Sequence, residues 1–251
     1  MNSIIEKYKN PIIYLITLLG LFALWLTLAW TIDSNLILPS PINTIKELFR
    51  FFKDGSFYLS VLTTLLRAFI AFSLSFIIAF LLVIISIKES LRKSIKLIIG
   101  ILRGIPTMAI ILILIIWVKS AITPVVVSML VLIPLLYDQL LGLLNSFKEE
   151  YSPIIKIYSI NKKKIAKIFF AENKHYILDY AASGTNLGLK VCISAEAIAL
   201  SYYGLGSLMQ MNKIYLEMEK LFALALISVI IGVLIEFLIR LLKKWLVKEI
   251  D

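Results

Sequence analysis

One cysteine, one histidine and no phosphate-cradling loop mark what this sequence does without. A lone Cys192 leaves no partner for an internal disulfide, and a lone His175 cannot build a His/Cys metal cluster, so redox and metal chemistry find no support and no cofactor is expected. No G-x-x-x-x-G-K-[ST] segment occurs, and "GLGSLM" lacks the lysine, so the chain has no backbone cradle for nucleotide phosphates. Acidic residues number 16 against 26 basic ones. That imbalance raises the question of a nucleic-acid partner. What the chain has instead is hydrocarbon: 60% of its 251 residues are hydrophobic, and the mean hydropathy is +0.94, beyond the usage of a soluble domain.

A bilayer asks about 20 apolar residues of a helix, because a rise of about 1.5 Å per residue must cover about 30 Å of hydrocarbon. Reading apolar blocks and their charged breaks predicts an all-α polytopic membrane protein with six spans, at 11–32, 59–87, 98–118, 123–145, 180–203 and 220–241. The first block is too long for a signal peptide and no small-residue cleavage pattern follows "LAWTIDS", so it is read as retained. With the N-terminus inside, 17 of the 26 basic residues fall in cytoplasmic segments and only six in outer ones. This asymmetry sets both termini in the cytoplasm and accounts for the charge without nucleic acid.

The longest cytoplasmic loop, 146–178, carries "IIKIYSINKKKIAKIFFAE", with five lysines. Its apolar Ile154, Ile157, Tyr158, Ile165, Ile168 and Phe169 recur at three- and four-residue steps, while Lys156, Lys163 and Lys167 take another side. The pattern predicts a pair of amphipathic helices joined at "SINKKK". An apolar stripe there must be covered by the lipid surface or by a partner protein.

Charged residues inside spans are costly enough, at roughly 2.5 to 3.5 kcal/mol each, to predict pairing. Arg67 and Glu196 lie at equal depth from the outer ends of the second and fifth spans, and Asp138 and Lys190 at similar depth from the inner ends of the fourth and fifth. The expected pairs are Arg67 with Glu196 and Asp138 with Lys190; Arg103 is the remaining intramembrane cation. These five are either structural ion pairs or residues lining a path. Pro106 and Pro134 inside spans either bend helices toward such a path or shape packing. Glu236 and Arg240 stand at i, i+4, suited to pairing.

Several short motifs occur in a telling order. "LPSP" at 38–41 precedes the amphipathic "INTIKELFRFF"; "LTTLLRAFIAF" follows at 62–72, then "LRGIPTMAIILILIIW", "PLLYDQLLG" and "NLGLKVCISAEAIALSYYGLGSLM" at 186–209. In that order they resemble the membrane-spanning permease subunit of bacterial ATP-binding-cassette importers, of the group that includes nitrate, sulfonate and taurine systems. The resemblance runs from Leu38 to Trp245. It implies the transmembrane domain of a type I importer over 58–245, preceded by an anchor helix and amphipathic connector over 1–57. It also implies that the chain is not itself an enzyme, and that its cargo is a small anion or related solute.

The resemblance further implies that the loop forms coupling helices docking on an ATPase subunit, through Ile154, Ile155, Ile157, Tyr158, Ser159, Asn161, Lys163, Ile165, Ile168, Phe169 and Phe170. The family's Glu-Ala-Ala positions fall at Pro153, Ile154 and Ile155 here, its turn glycine at Ser159, and its Leu-Pro at Phe170 and Ala171. Asn161 is the residue suited to a left-handed turn in place of that glycine. The implied partners are an ATP-binding subunit, an extracytoplasmic solute-binding protein, a second permease copy and the lipid of a bacterial plasma membrane. The rival classes are a secondary transporter or channel not powered by ATP, and a membrane-embedded enzyme, for which the residues offer no convergent constellation.

Overall fold

The computed structural model describes residues 2–158 and 162–247, with the side chains of 2–12, 152, 155, 156, 162, 163, 166, 246 and 247 outside that description. The described residues form helices and connecting turns: α1 (Asn2–Ile32), α2 (Pro41–Phe51), α3 (Gly55–Ile85), α4 (Glu89–Gly104), α5 (Thr107–Trp117), α6 (Thr123–Ile157), α7 (Lys162–Ala199), α8 (Leu205–Ile214) and α9 (Met218–Val247). Four stretches are long and apolar enough to cross a membrane: Ile13–Ile32, Gly55–Ile85, Thr123–Tyr151 and Met218–Trp245. A fifth is reached if α4 and α5, which meet at 91°, are taken as one span. This is the architecture of an all-α chain suited to lipid.

Two of the six expected spans differ. The third, 98–118, is not one rod. Pro106 has no N–H to give and disfavours helix in the residue before it; Ile105 accordingly takes extended backbone at φ −79° and ψ 122°, and Pro106 caps α5 from outside. The fifth, 180–203, is the second half of α7, and α7 does not reach the apolarity of the other four. Its Asn186, Lys190 and Glu196 break the hydrocarbon pattern, and protein neighbours cover much of it: Ala182, Leu189, Cys192, Ile193, Ala195, Glu196 and Ala199 are buried. A helix sheathed by protein need not be apolar all round.

The chain divides into two compact units, residues 1–58 with 208–227, and residues 59–207 with 228–251. In the first, none of the apolar window of α1 is buried. The Trp25 indole donates to the Pro39 carbonyl at 3.1 Å and its ring lies 6.1 Å from that of Phe222. Ser40 caps α2 by accepting from the Asn43 N–H, with Pro41 preset for the first turn. Asp54 begins the next helix by accepting from the Ser56 N–H and hydroxyl, and these two bonds hold its carboxyl below the usual aspartate value.

In the second unit, Ala79 and Val83 of α3, Ile99 of α4, and Leu132, Leu136, Tyr137, Leu140 and Leu141 of α6 make one core, to which the Tyr137 and Ser86 hydroxyls add a 2.8 Å hydrogen bond. A smaller core joins Ile110 and Ile111 of α5 to Val127 and Ala195. α6 and α7 form a long helical hairpin. Close approach comes from glycine: a Cβ on Gly184 would sit 3.0 Å from Phe72, and one on Gly188 3.0 Å from Leu132. Gly184, Gly188, Cys192 and Glu196 follow each other at four-residue steps, all buried, so one narrow seam of α7 faces its neighbours.

Candidate functional site

Glu196 is fully buried, in α7 one turn before its end, and four groups converge on its side chain. Arg67 of α3 donates from Nη1 to Oε1 at 2.8 Å. The Thr64 hydroxyl donates to Oε2 at 2.8 Å, the Gly206 N–H to the same oxygen at 3.1 Å, and the Cys192 thiol lies 4.0 Å from Oε1. Thr64 Oγ1 in turn accepts from the Leu205 N–H at 2.8 Å, so the first turn of α8 points its free N–H groups, and the positive end of its dipole, at this carboxylate and its hydroxyl partner. Arg67 also donates to the Tyr203 carbonyl.

Local backbone makes this convergence possible. Leu200 adopts φ 47°, and the Ser201 N–H returns to the Glu196 carbonyl at 3.3 Å, a Schellman closure of α7. The Ser201 hydroxyl then donates to the Ser120 carbonyl at 2.8 Å, tying the turn to the α5–α6 connection. Gly204 sits at φ +154°, and a Cβ there would fall on the Glu196 carboxylate. Gly206 is equally constrained, since a Cβ would meet the Ile193 carbonyl. Sequence depth pointed to Arg67 and Glu196; it did not reveal Thr64, or that the glycines exist to admit the carboxylate. Glu196 has no exposed surface and the Arg67 side chain is 11% exposed, so buried bonds join α3, α7 and the start of α8 at this cluster.

The second expected pair is corrected. Asp138 of α6 pairs with Arg103 at the end of α4, and not with Lys190. The right-angle break after Gly104 carries Arg103 to α6, a relation that equal-depth counting along straight spans cannot find. Lys190 is exposed and lies within electrostatic reach of Glu236, which accepts from Asn186 at 3.2 Å and from Arg240 Nε at 3.2 Å. Further along, Lys243 reaches Asp179 at 2.7 Å. The contacts Asp179–Lys243 and Asn186–Glu236 are seven residues apart on both helices, as an antiparallel pairing of α7 with α9 requires. The Arg103 and Asp138 side chains are 54% and 37% exposed, so this pair, unlike Arg67–Glu196, is accessible.

The lysine-rich loop is the tip of the α6–α7 hairpin. The two expected amphipathic helices are extensions of α6 and α7, and Ser159 and Asn161, with the side chains of Ile155 and Lys163, lie outside the described residues. The apolar stripe divides. Phe169 packs edge-on to Phe147 at 5.3 Å and is half-buried between the two helices, while Phe170 lies 5.8 Å from Phe80 of α3 and stays 44% exposed. Ile165 and Ile168 are half-buried. Ile154, Ile157 and Tyr158 stay exposed at the tip, the last two by about three quarters. Between the helices runs a cleft of about 590 Å³ lined by Phe147, Glu150, Tyr151, Glu172, Tyr176 and Tyr180, a feature with no periodic signal in the sequence. No protein-family model matches this chain, and no curated protein matches it in sequence.

Proposed function

We propose that the chain is the membrane-spanning subunit of an ATP-binding-cassette importer, moving a small anion or related solute by alternating access while a separate subunit hydrolyses ATP. The observation that carries this reading is the hairpin tip. The apolar stretch of α6 ends at Tyr151, yet the helix continues to Ile157 and α7 begins at Lys162. The tip offers Ile154, Ile157 and Tyr158 to whatever surrounds it. Exposed apolar side chains beside lysines form a surface suited to a partner protein. Behind that tip the Phe147–Phe169 contact and the α6–α7 seam make the hairpin stiff, the property needed to carry a displacement from a motor into the membrane.

In this reading both termini are cytoplasmic, α7 and the bent α4–α5 pair complete six crossings, and a second permease copy and an extracytoplasmic binding protein complete the transporter. Arg103, Asp138 and Lys190, being accessible, are the charges available to a passing solute, whereas Arg67 and Glu196 are structural. The test is co-purification: the detergent-extracted protein should carry an ATPase subunit, and uptake in reconstituted vesicles should require that subunit and ATP. Uptake that proceeds without either identifies a secondary transporter or channel instead.

A further inference from the structure

Helix α2 is amphipathic in an unusual way. Its inner side holds Pro41, Thr44 and Glu47, all buried. On the other side Ile42, Ile45, Phe49 and Phe52 are exposed, and their three- and four-residue spacing confines them to an arc of about 80° on a 3.6-residue helix. Directly beside that arc stand Lys46 and Arg50, and Lys53 follows in the turn after the C-cap Phe52, all three exposed. Arg50 pairs with Glu47, while Lys46 and Lys53 have no ion pair among the described residues.

Two contacts fix the level of this helix against the apolar stretches of its own unit. The Trp25–Pro39 hydrogen bond brings the chain, after it leaves α1 at Ile32, back to a residue seven positions inside that helix, which is about 10 Å along its axis. The Asn43 amide donates to Glu219 at 2.9 Å, in the first turn of α9 and at the edge of its apolar stretch. The first contact holds the loop before α2 against the apolar side of α1, and the second sets Asn43 level with the end of the apolar stretch of α9, about where hydrocarbon gives way to headgroups and an interfacial helix buries its apolar face.

We infer that α2 is an interfacial lipid-binding helix, with Ile42, Ile45, Phe49 and Phe52 immersed in the acyl boundary and Lys46 and Lys53 contacting anionic phospholipid headgroups. The occupant of the exposed stripe is lipid: α2 packs beside α1 in the same unit, α1 buries none of its apolar window, and the helix's cations lie on one flank of the stripe, as a layered boundary requires and an enclosed protein groove does not. The inference is independent of any ATPase.

The test uses the full-length protein in nanodiscs of phosphatidylcholine alone and of phosphatidylcholine mixed with phosphatidylglycerol. Spin labels at Ile45→Cys and Phe49→Cys should collide with oxygen in preference to a nickel chelate, and labels at Lys46→Cys and Lys53→Cys should show the reverse; the native Cys192 is fully buried, and its replacement by Ala gives the background for labelling. Phosphatidylglycerol should deepen the Phe49 label, and Lys46→Gln with Lys53→Gln should abolish that response. A stripe open to nickel, a stripe shielded from both probes as beneath a protein partner, or immersion indifferent to phosphatidylglycerol would each overturn the inference.

Discussion

The Arg67 guanidinium donates to Glu196 at 2.8 Å across 129 positions of sequence, with 11% and 0% of the two side chains exposed. Removing one partner strands the other as a buried charge, at a cost of about 3 to 5 kcal/mol. Arg67→Ala should therefore lower the melting temperature of the detergent-solubilised protein sharply, and Arg67→Ala with Glu196→Ala should recover part of the loss. A double variant no more stable than the worse single one would show that the pair does not couple.

Gly204 tests the same cluster from its backbone side. Gly204→Ala adds a methyl at a positive φ and onto the Glu196 carboxylate, so it should destabilise by about 2 kcal/mol or more. Gly184→Ala, whose neighbour is the Phe72 ring at 3.0 Å, should cost less because a ring can shift where a pinned carboxylate cannot. Melting curves of the two variants give the comparison.

Leu216 adopts φ 59° where α8 closes with the Glu217 N–H on the Asn212 carbonyl at 2.8 Å. This is the position at which glycine escapes a left-handed penalty of about 1 kcal/mol. Leu216→Gly should raise the melting temperature by about 2 to 4 °C. An unchanged or lower value would mean that the exposed leucine side chain contributes more than its backbone costs.

At the hairpin tip the expectation is opposite in kind. Ile157 is 76% exposed, so Ile157→Glu should leave the melting temperature within about 1 °C. Under the proposed function it should reduce ATP-dependent uptake at least tenfold and weaken retention of the ATPase subunit during purification. Full uptake with this variant would show that the tip receives no partner there.

The contrast between the two charge pairs shows what was legible in the residues and what was not. Arg67 and Glu196 were found by counting depth because both stand on long continuous helices. The same count failed for Asp138: its partner lies just before a proline that turns the chain through 91°, and no periodicity reports an angle. The helical class and most apolar stretches follow from composition and run length. The lengths of α6 and α7 were hidden because their extensions carry charges that read as loop. At the tip, spacing identifies a stripe but not its division into half-buried Ile165, Ile168 and Phe169 and exposed Ile154, Ile157, Tyr158 and Phe170, which depends on neighbours in other helices.

The elbow at Pro106 carries an electrical consequence. α5 has 11 residues, a rise of about 16 Å against about 30 Å of hydrocarbon, and α4 leaves it at a right angle. Unwound backbone at that corner is not sealed by acyl chains, which offer its N–H and C=O groups nothing. Those groups need water or a polar neighbour instead, and water drawn to that corner would carry the aqueous phase, and with it part of any applied voltage, toward Arg103.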